Sequence, residues 1–230
     1  MNCLWCHEEM MLDISWDTVL SLSQPTELCI PCQRALQRLQ GKRCLRCSRR
    51  SESSICSDCK WWNAYKQGRD PLTYNHSIFS YNERMQEMIA RWKYRGDYML
   101  GYAFQQPFRQ SFFKEFPFVK KKKAIVIPIP LSEERLTERG FNQAYMLAHF
   151  LKVPIKNILT RLHNEKQSKK GRTERIFAQN PFKLEGKETV NKRAILVDDI
   201  YTTGTTLRHA AQLLIEHGCP AVYSYTLVRG

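Results

Sequence analysis

The sequence has no apolar run approaching the ~20 residues that a membrane-spanning helix needs. Its longest candidates, near 124–131 and 194–197, are strand-sized. No basic segment followed by an apolar core precedes Cys3, so no secretory signal is read and a cytoplasmic protein is expected. Neither G-x-x-x-x-G-K-[ST] nor G-x-G-x-x-G occurs, which removes the two commonest nucleotide-binding loops. Acidic residues are in short supply: 22 Asp and Glu stand against 36 Lys and Arg, a formal charge of +14 on 230 residues. That balance points to polyanions (nucleic acid, phosphorylated metabolites or an acidic membrane face) without choosing among them. At 43% hydrophobic and 25% charged the chain can bury a core, so wholesale disorder is excluded. The length suits one large domain or two small ones.

What is abundant is cysteine, and it is not scattered. Eight of the nine fall in four C-x-x-C pairs: Cys3 and Cys6, Cys29 and Cys32, Cys44 and Cys47, Cys56 and Cys59. In a reducing compartment disulfides are a poor use for such a cluster. A C-x-x-C turn sets two thiolates about one tetrahedral edge apart, and two such knuckles complete a four-cysteine zinc site. Sequential pairing gives one site from Cys3, Cys6, Cys29 and Cys32 and another from Cys44, Cys47, Cys56 and Cys59; interleaved pairing is equally compatible with the spacing. Four thiolates per ion leave no open position, so two structural zinc ions are expected, supplying much of the folding free energy of a segment with little apolar core. His7 reads as a surface knuckle residue and Cys219 as a small buried side chain. Two such sites, each 2 − 4 = −2, would bring the formal charge of +14 to about +10. Residues 120–175 hold 14 basic and five acidic residues, so +9 of the charge lies there.

The remaining chain alternates between strand and helix patterns. Residues 1–60 read as a double zinc ribbon, 61–76 as a polar junction and 77–230 as a larger α/β domain. In the junction Trp61, Trp62 and Tyr65 have two readings, packing between modules or a stacking platform for single-stranded bases. Ser77–Tyr81 reads as a short strand. Met85, Met88, Ile89 and Trp92 recur at the spacing of a helix face. Ala124–Ile127 and Ala194–Val197 are continuous apolar runs of the kind buried parallel strands show. Ala144–Leu151 and Thr205–His217 read as helices, the latter closed by Gly218, and Ala221–Val228 as a last strand. Alternation of this kind implies βαβ units and a mostly parallel sheet flanked by helices.

The most informative stretch runs from Ala194 to Leu207. Asp198 and Asp199 close an apolar strand, and Thr202, Thr203, Gly204, Thr205 and Thr206 lead into a helix. The carboxyl ends of parallel strands are where α/β folds place ligands, and a helix N-terminus offers free N–H groups and a positive dipole end to a phosphate. Hydroxyls add donors, glycine permits close approach, and the carboxylates can accept sugar hydroxyls or help hold Mg²⁺. An ordinary capped helix explains the Thr and the Gly. It does not explain two adjacent aspartates at a strand end, which are costly to bury without ligands.

This stretch resembles the 5-phosphoribosyl-1-pyrophosphate (PRPP) motif of type I phosphoribosyltransferases. The resemblance implies that Asp198 and Asp199 contact ribose hydroxyls and stabilise charge on the sugar, while residues 202–206 cradle the 5′-phosphate with Mg²⁺ nearby. It also implies a mobile loop over the pyrophosphate, a position held here by His163–Phe182 with Lys169, Arg172 and Arg175. Taken alone, that basic loop reads first as a solvated one. The four C-x-x-C pairs, Lys93-Tyr94-Arg95-Gly96-Asp97, Ile127-Pro128-Ile129-Pro130-Leu131, Arg139-Gly140-Phe141-Asn142-Gln143-Ala144 and the PRPP motif together resemble the ComF family across the whole chain. That family implies a double zinc ribbon before a phosphoribosyltransferase-like domain. It implies a role in natural transformation, handling incoming single-stranded DNA beside the ComFA helicase, with room for peripheral association with the uptake machinery at the inner face of the membrane. Arg135 and Arg139 read either as phosphate contacts or as surface arginines, and Lys93 and Arg95 as candidates for a phosphate or an acceptor. Neither an acceptor nor a general base is visible, so a metabolic phosphoribosyltransferase and a PRPP-responsive nucleic-acid-binding regulator remain as alternatives.

Overall fold

A computed structural model describes residues 1–10, 27–121, 123–162, 179–186 and 191–230. Its centre is a four-stranded parallel sheet of β1 (Leu72–Ser80), β2 (Ala124–Pro128), β5 (Arg193–Tyr201) and β6 (Val222–Arg229), ordered β1-β6-β5-β2. β3 (Leu159–Arg161) and β4 (Phe182–Leu184) form a separate antiparallel pair. Successive side chains of β5 enter opposite faces of the sheet and both faces are buried. Ile195 and Val197 join Tyr225 and Leu227 on one face of the sheet, and Ala194 and Leu196 join Val222 on the other. This is the two-sided burial expected of a parallel sheet.

Helices cover both faces. α1 (Ile30–Ala35) and α2 (Ser57–Tyr65) belong to the cysteine-rich segment. α3 (Glu83–Tyr94), α4 (Gln105–Glu115), α5 (Glu133–Arg139), α6 (Gln143–Phe150) and α7 (Thr205–Glu216) follow. In α3 the Asn82 side chain accepts the N–H of Met85 as an N-cap, and Met85, Met88, Ile89 and Trp92 are buried as their spacing predicts. The first cysteine cluster packs with the α3 and α4 side of the core, the second with the α7 side.

Two expectations about the junction need correction. The junction expected at 61–76 is mostly regular structure, since Trp61–Tyr65 complete α2, and β1 begins at Leu72 rather than at Ser77. The strand escapes an apolar reading because its inward positions include Asn75 and Ser77. They are buried in a polar ladder, with Ser77 Oγ 2.7 Å from Thr226 Oγ1 and Ser224 Oγ donating to Asn75 Oδ1 at 2.9 Å. The outer edge of β1 is covered rather than exposed. Asn75 N–H donates to the Arg46 carbonyl at 2.8 Å, and Leu39 N–H donates to the Ile78 carbonyl at 2.8 Å. The cysteine-rich segment thereby closes a sheet edge that would otherwise invite pairing with another chain.

Candidate ligand site and metal clusters

The eight paired cysteines form two sequential groups, Cys3, Cys6, Cys29 and Cys32, and Cys44, Cys47, Cys56 and Cys59. In each, the sulfurs lie within 4.8 Å of one another. This resolves the pairing in favour of sequential knuckles. Backbone N–H groups point at the sulfurs, Cys29 to Cys3 and Cys56 to Cys44, both at 3.3 Å. Four soft donors with such supporting hydrogen bonds fit a tetrahedral ion such as zinc. His7 is exposed, outside the first group, with its ring against Arg91 at 3.1 Å, and Cys219 is buried. In the second group the Cys47 thiol is lowered to about 4, because the Cys59 hydrogen bond outweighs burial and the Arg229 guanidinium adds to it.

Asp198 and Asp199 do not end β5, which continues to Tyr201 paired with β6. They sit where β2 has already stopped, since its last register pair is Pro128 with Val197. The stretch of β5 that carries them therefore runs past the end of its neighbour and leaves a notch in the sheet at its carboxyl end. Asp199 is 8% exposed and forms an ion pair with Lys93, near the C-terminus of α3. Its backbone N–H donates to Asp198 Oδ1 at 2.9 Å. Burial pushes the Asp198 carboxyl up to about 8, helped by the neighbouring Asp199 charge and only partly offset by Lys93. Burial would raise Asp199 as well and is the largest single influence, but the Lys93 ammonium, Asp198 and Arg139 together hold this carboxyl below its ordinary value. Two interacting acids are thus pushed apart, one protonated near neutrality and one ionised.

Further cations face this pair. Arg139 contributes to the lowering of Asp199. Arg161 is itself lowered by burial and by Arg135, against the opposing pull of Asp198. Arg139 donates to Gln143 Oε1 at 3.2 Å and to Tyr94 Oη at 3.4 Å, whose ring it also covers. Lys93, Arg139 and Arg161 therefore lie within electrostatic reach of the acidic pair, and Arg135 within reach of Arg161. Arg161 escapes sequence reading because a basic residue in a three-residue strand carries no signal of its own.

The turn from Thr202 to Thr206 follows at once. Thr203 and Thr205 share a 2.9 Å hydroxyl contact, and Thr202 is exposed. Gly204 has φ +74°, and a Cβ there would lie 2.2 Å from Tyr201 Oη and 2.4 Å from Arg208 Nη1. Glycine is required by both conformation and space. α7 then begins at Thr205 with no cap from Gly204, which has no side chain; Thr203 Oγ1 accepts the Thr205 N–H at 3.4 Å. Lys169, Arg172 and Arg175 lie outside the described residues.

The profile of the Phosphoribosyl transferase domain matches residues 136–230. Competence protein ComFC of Bacillus subtilis is 39% identical over 99% of this chain and 94% of its own length. Competence protein ComFC of Streptococcus pneumoniae is 32% identical over the full length of both. The chain belongs to the ComF family of competence proteins. Another relative, the DNA utilization protein YhgH of Escherichia coli, is 30% identical over 45% of the chain and 48% of its own length. The family assignment agrees with the observed architecture, a phosphoribosyltransferase-like parallel sheet flanked by helices with two four-cysteine groups ahead of it. Among the described residues no helix is long and apolar enough to cross a membrane.

Proposed function

We propose that this ComF protein binds PRPP at the notch between Asp199 and α7 and acts in the cytoplasm on incoming single-stranded DNA during transformation, beside a ComFA-type helicase. The observation that carries the ligand reading is the adjacency of the Asp198–Asp199 pair to a glycine-led, Thr-rich helix N-terminus. A 5′-phosphate suits the backbone N–H groups and hydroxyls of residues 202–206, where the helix dipole also favours negative charge. The ribose 2- and 3-hydroxyls can donate to the carboxylates. Lys93, Arg135, Arg139 and Arg161 suit the pyrophosphate, with Lys169, Arg172 and Arg175 as further candidates. Asp198 or Asp199 would hold a Mg²⁺ ion, which would supply charge neutralisation at the pyrophosphate.

In the resting site Lys93 satisfies Asp199 and a proton occupies Asp198, so neither carboxylate stands as a bare buried charge. Ligand binding exchanges that proton for hydroxyl donors and a cation. If sugar transfer takes place, positive charge developing on the ring is stabilised by the same two carboxylates. The DNA reading rests on the full-length relatives, on the charge of +14, and on Trp61 and Tyr65. These two rings are 44% and 40% exposed and stacked at 5.0 Å, beside the basic Lys60, Lys66 and Arg69. Calorimetry with PRPP and Mg²⁺ tests the ligand. Binding to the wild type and its loss in Asp198→Asn/Asp199→Asn with an unchanged circular dichroism spectrum is expected, and equal heats in both would refute the site.

A further inference from the structure

The turn that carries the phosphate donors is held from behind by the second cysteine cluster. Arg229, at the end of β6 and 5% exposed, sends Nη1 to the carbonyls of Tyr201 at 3.1 Å and Thr202 at 3.0 Å. The same guanidinium donates through Nε to the Cys47 carbonyl at 3.0 Å and lays Nη2 3.7 Å from the Cys47 sulfur. One side chain thus touches a metal-ligating residue and the turn at once. A second brace runs through Arg208, 2% exposed, which donates to both oxygens of Asp70 at 2.9–3.2 Å and to Tyr201 Oη at 2.8 Å. Asp70 in turn holds Arg46 at 3.3 Å, inside the Cys44–Cys47 knuckle. A third runs through Trp62, one turn beyond Cys59 in α2. It donates Nε1 to the Thr203 carbonyl at 2.9 Å and lies under Arg208 at 4.4 Å.

A pair of elements stapled merely for stability could use any convenient groups. Here the braces converge on consecutive carbonyls of Tyr201, Thr202 and Thr203. In a planar trans peptide the C=O and the N–H point in opposite directions. Fixing these three carbonyls toward the ribbon therefore turns the N–H groups of Thr202, Thr203 and Gly204 away from it, toward the notch. We infer that the second four-cysteine cluster is the back wall of the phosphate site, with Arg229 as its principal positioning residue. A metal held by Cys44, Cys47, Cys56 and Cys59 sets the shape of the anion-binding turn, and a sugar phosphate bound in that turn helps to retain the metal. This inference rests on the PRPP reading, and the coupling is reciprocal by thermodynamic linkage.

The test uses the full-length, zinc-loaded chain. Calorimetry first establishes whether PRPP with Mg²⁺ binds. Zinc transfer to a zinc-selective chromophoric chelator is then followed with and without saturating PRPP, in the wild type and in Arg229→Lys, with a melting curve recorded for each. The more exposed first cluster should release its ion in the faster phase. PRPP should slow only the slower phase, by about fivefold or more, the lower range of allosteric couplings. Arg229→Lys keeps the charge but cannot reach both partners, so protection should vanish. Should that variant fail to fold, Trp62→Phe keeps the ring, removes one donor to the turn, and should reduce the protection. Binding heat with no change in the slower phase, equal slowing of both phases, or full protection in the folded variant would each overturn the coupling while leaving the PRPP reading intact. Absence of binding heat would overturn both.

Discussion

The two cysteine clusters use the same four donors and the same C-x-x-C turns, yet the fold employs them differently. The first has one buried, two half-buried and one exposed cysteine, and 22 residues separate its knuckles. It rests on α3 through Trp5, whose ring lies under Arg84 and Arg91 at 5.0 and 5.5 Å. The second has all four cysteines buried and only eight residues between knuckles. Its backbone hydrogen-bonds to β1, and its neighbours brace the turn after β5. A short, closed knuckle pair can serve as a rigid wall for a ligand site, whereas a pair whose knuckles lie far apart in sequence serves here to hold a helix. The first cluster still touches function at one remove, because α3 carries the Lys93 that pairs with Asp199.

The largest expected effect contrasts the clusters directly. Cys47→Ser should lower the melting temperature more than Cys6→Ser and abolish PRPP binding, while Cys6→Ser keeps it. Calorimetry on both variants checks this, and equal losses would erase the distinction. Next come the ion pairs beside each cluster. Asp70→Asn breaks a pair whose side chains are both 2% exposed and should cost about 3–5 kcal/mol, roughly a 6–20 °C fall in Tm. Asp97→Asn breaks the partly exposed pair with Arg91, at 2.7 Å, and should cost about 1 kcal/mol or less.

A third test addresses the front of the turn. The carboxyl of Asp198 is raised in the fold from 3.8 to about 8, so the folded state disfavours its ionised form. That penalty is absent below about pH 4, grows as the unfolded chain ionises, and levels off above about pH 8. Asp198→Asn removes it, so the Tm advantage of the variant over wild type should grow from pH 5 to pH 8 and then flatten; an advantage that shrinks with pH would contradict the assignment. The smallest stability effect is expected for Trp61→Ala, within about 0.5 kcal/mol on an exposed ring. If Trp61 stacks a base, the same change should weaken single-stranded DNA binding by about 1–3 kcal/mol in a fluorescence titration.

Much of this is legible from pattern. The apolar face of α3, the strand around Val197 and the glycine after the Thr pair each carry a local physical signature that burial then rewards. The rest depends on pairing across the chain. Asn75 looks like a junction residue until Ser224 stands opposite it in β6. Arg208 and Arg229 read as ordinary charges, because their partners Asp70 and the Cys47 carbonyl lie more than 130 residues away. The only local hint is Arg208 itself, one helical turn past Gly204 and so facing back toward the turn. Trp61 and Trp62 carry competing readings as a group in the sequence. The helix separates them, burying Trp62 against Arg208 and leaving Trp61 exposed.

On the proposed reading the acidic notch serves DNA uptake. That role is tested most directly by measuring transformation frequency in a naturally competent host in which the native copy has been replaced by Asp198→Asn/Asp199→Asn. The account predicts a fall of transformation to the level of a deletion, with the variant present at wild-type abundance. Wild-type transformation by a stable variant that no longer binds PRPP would contradict it.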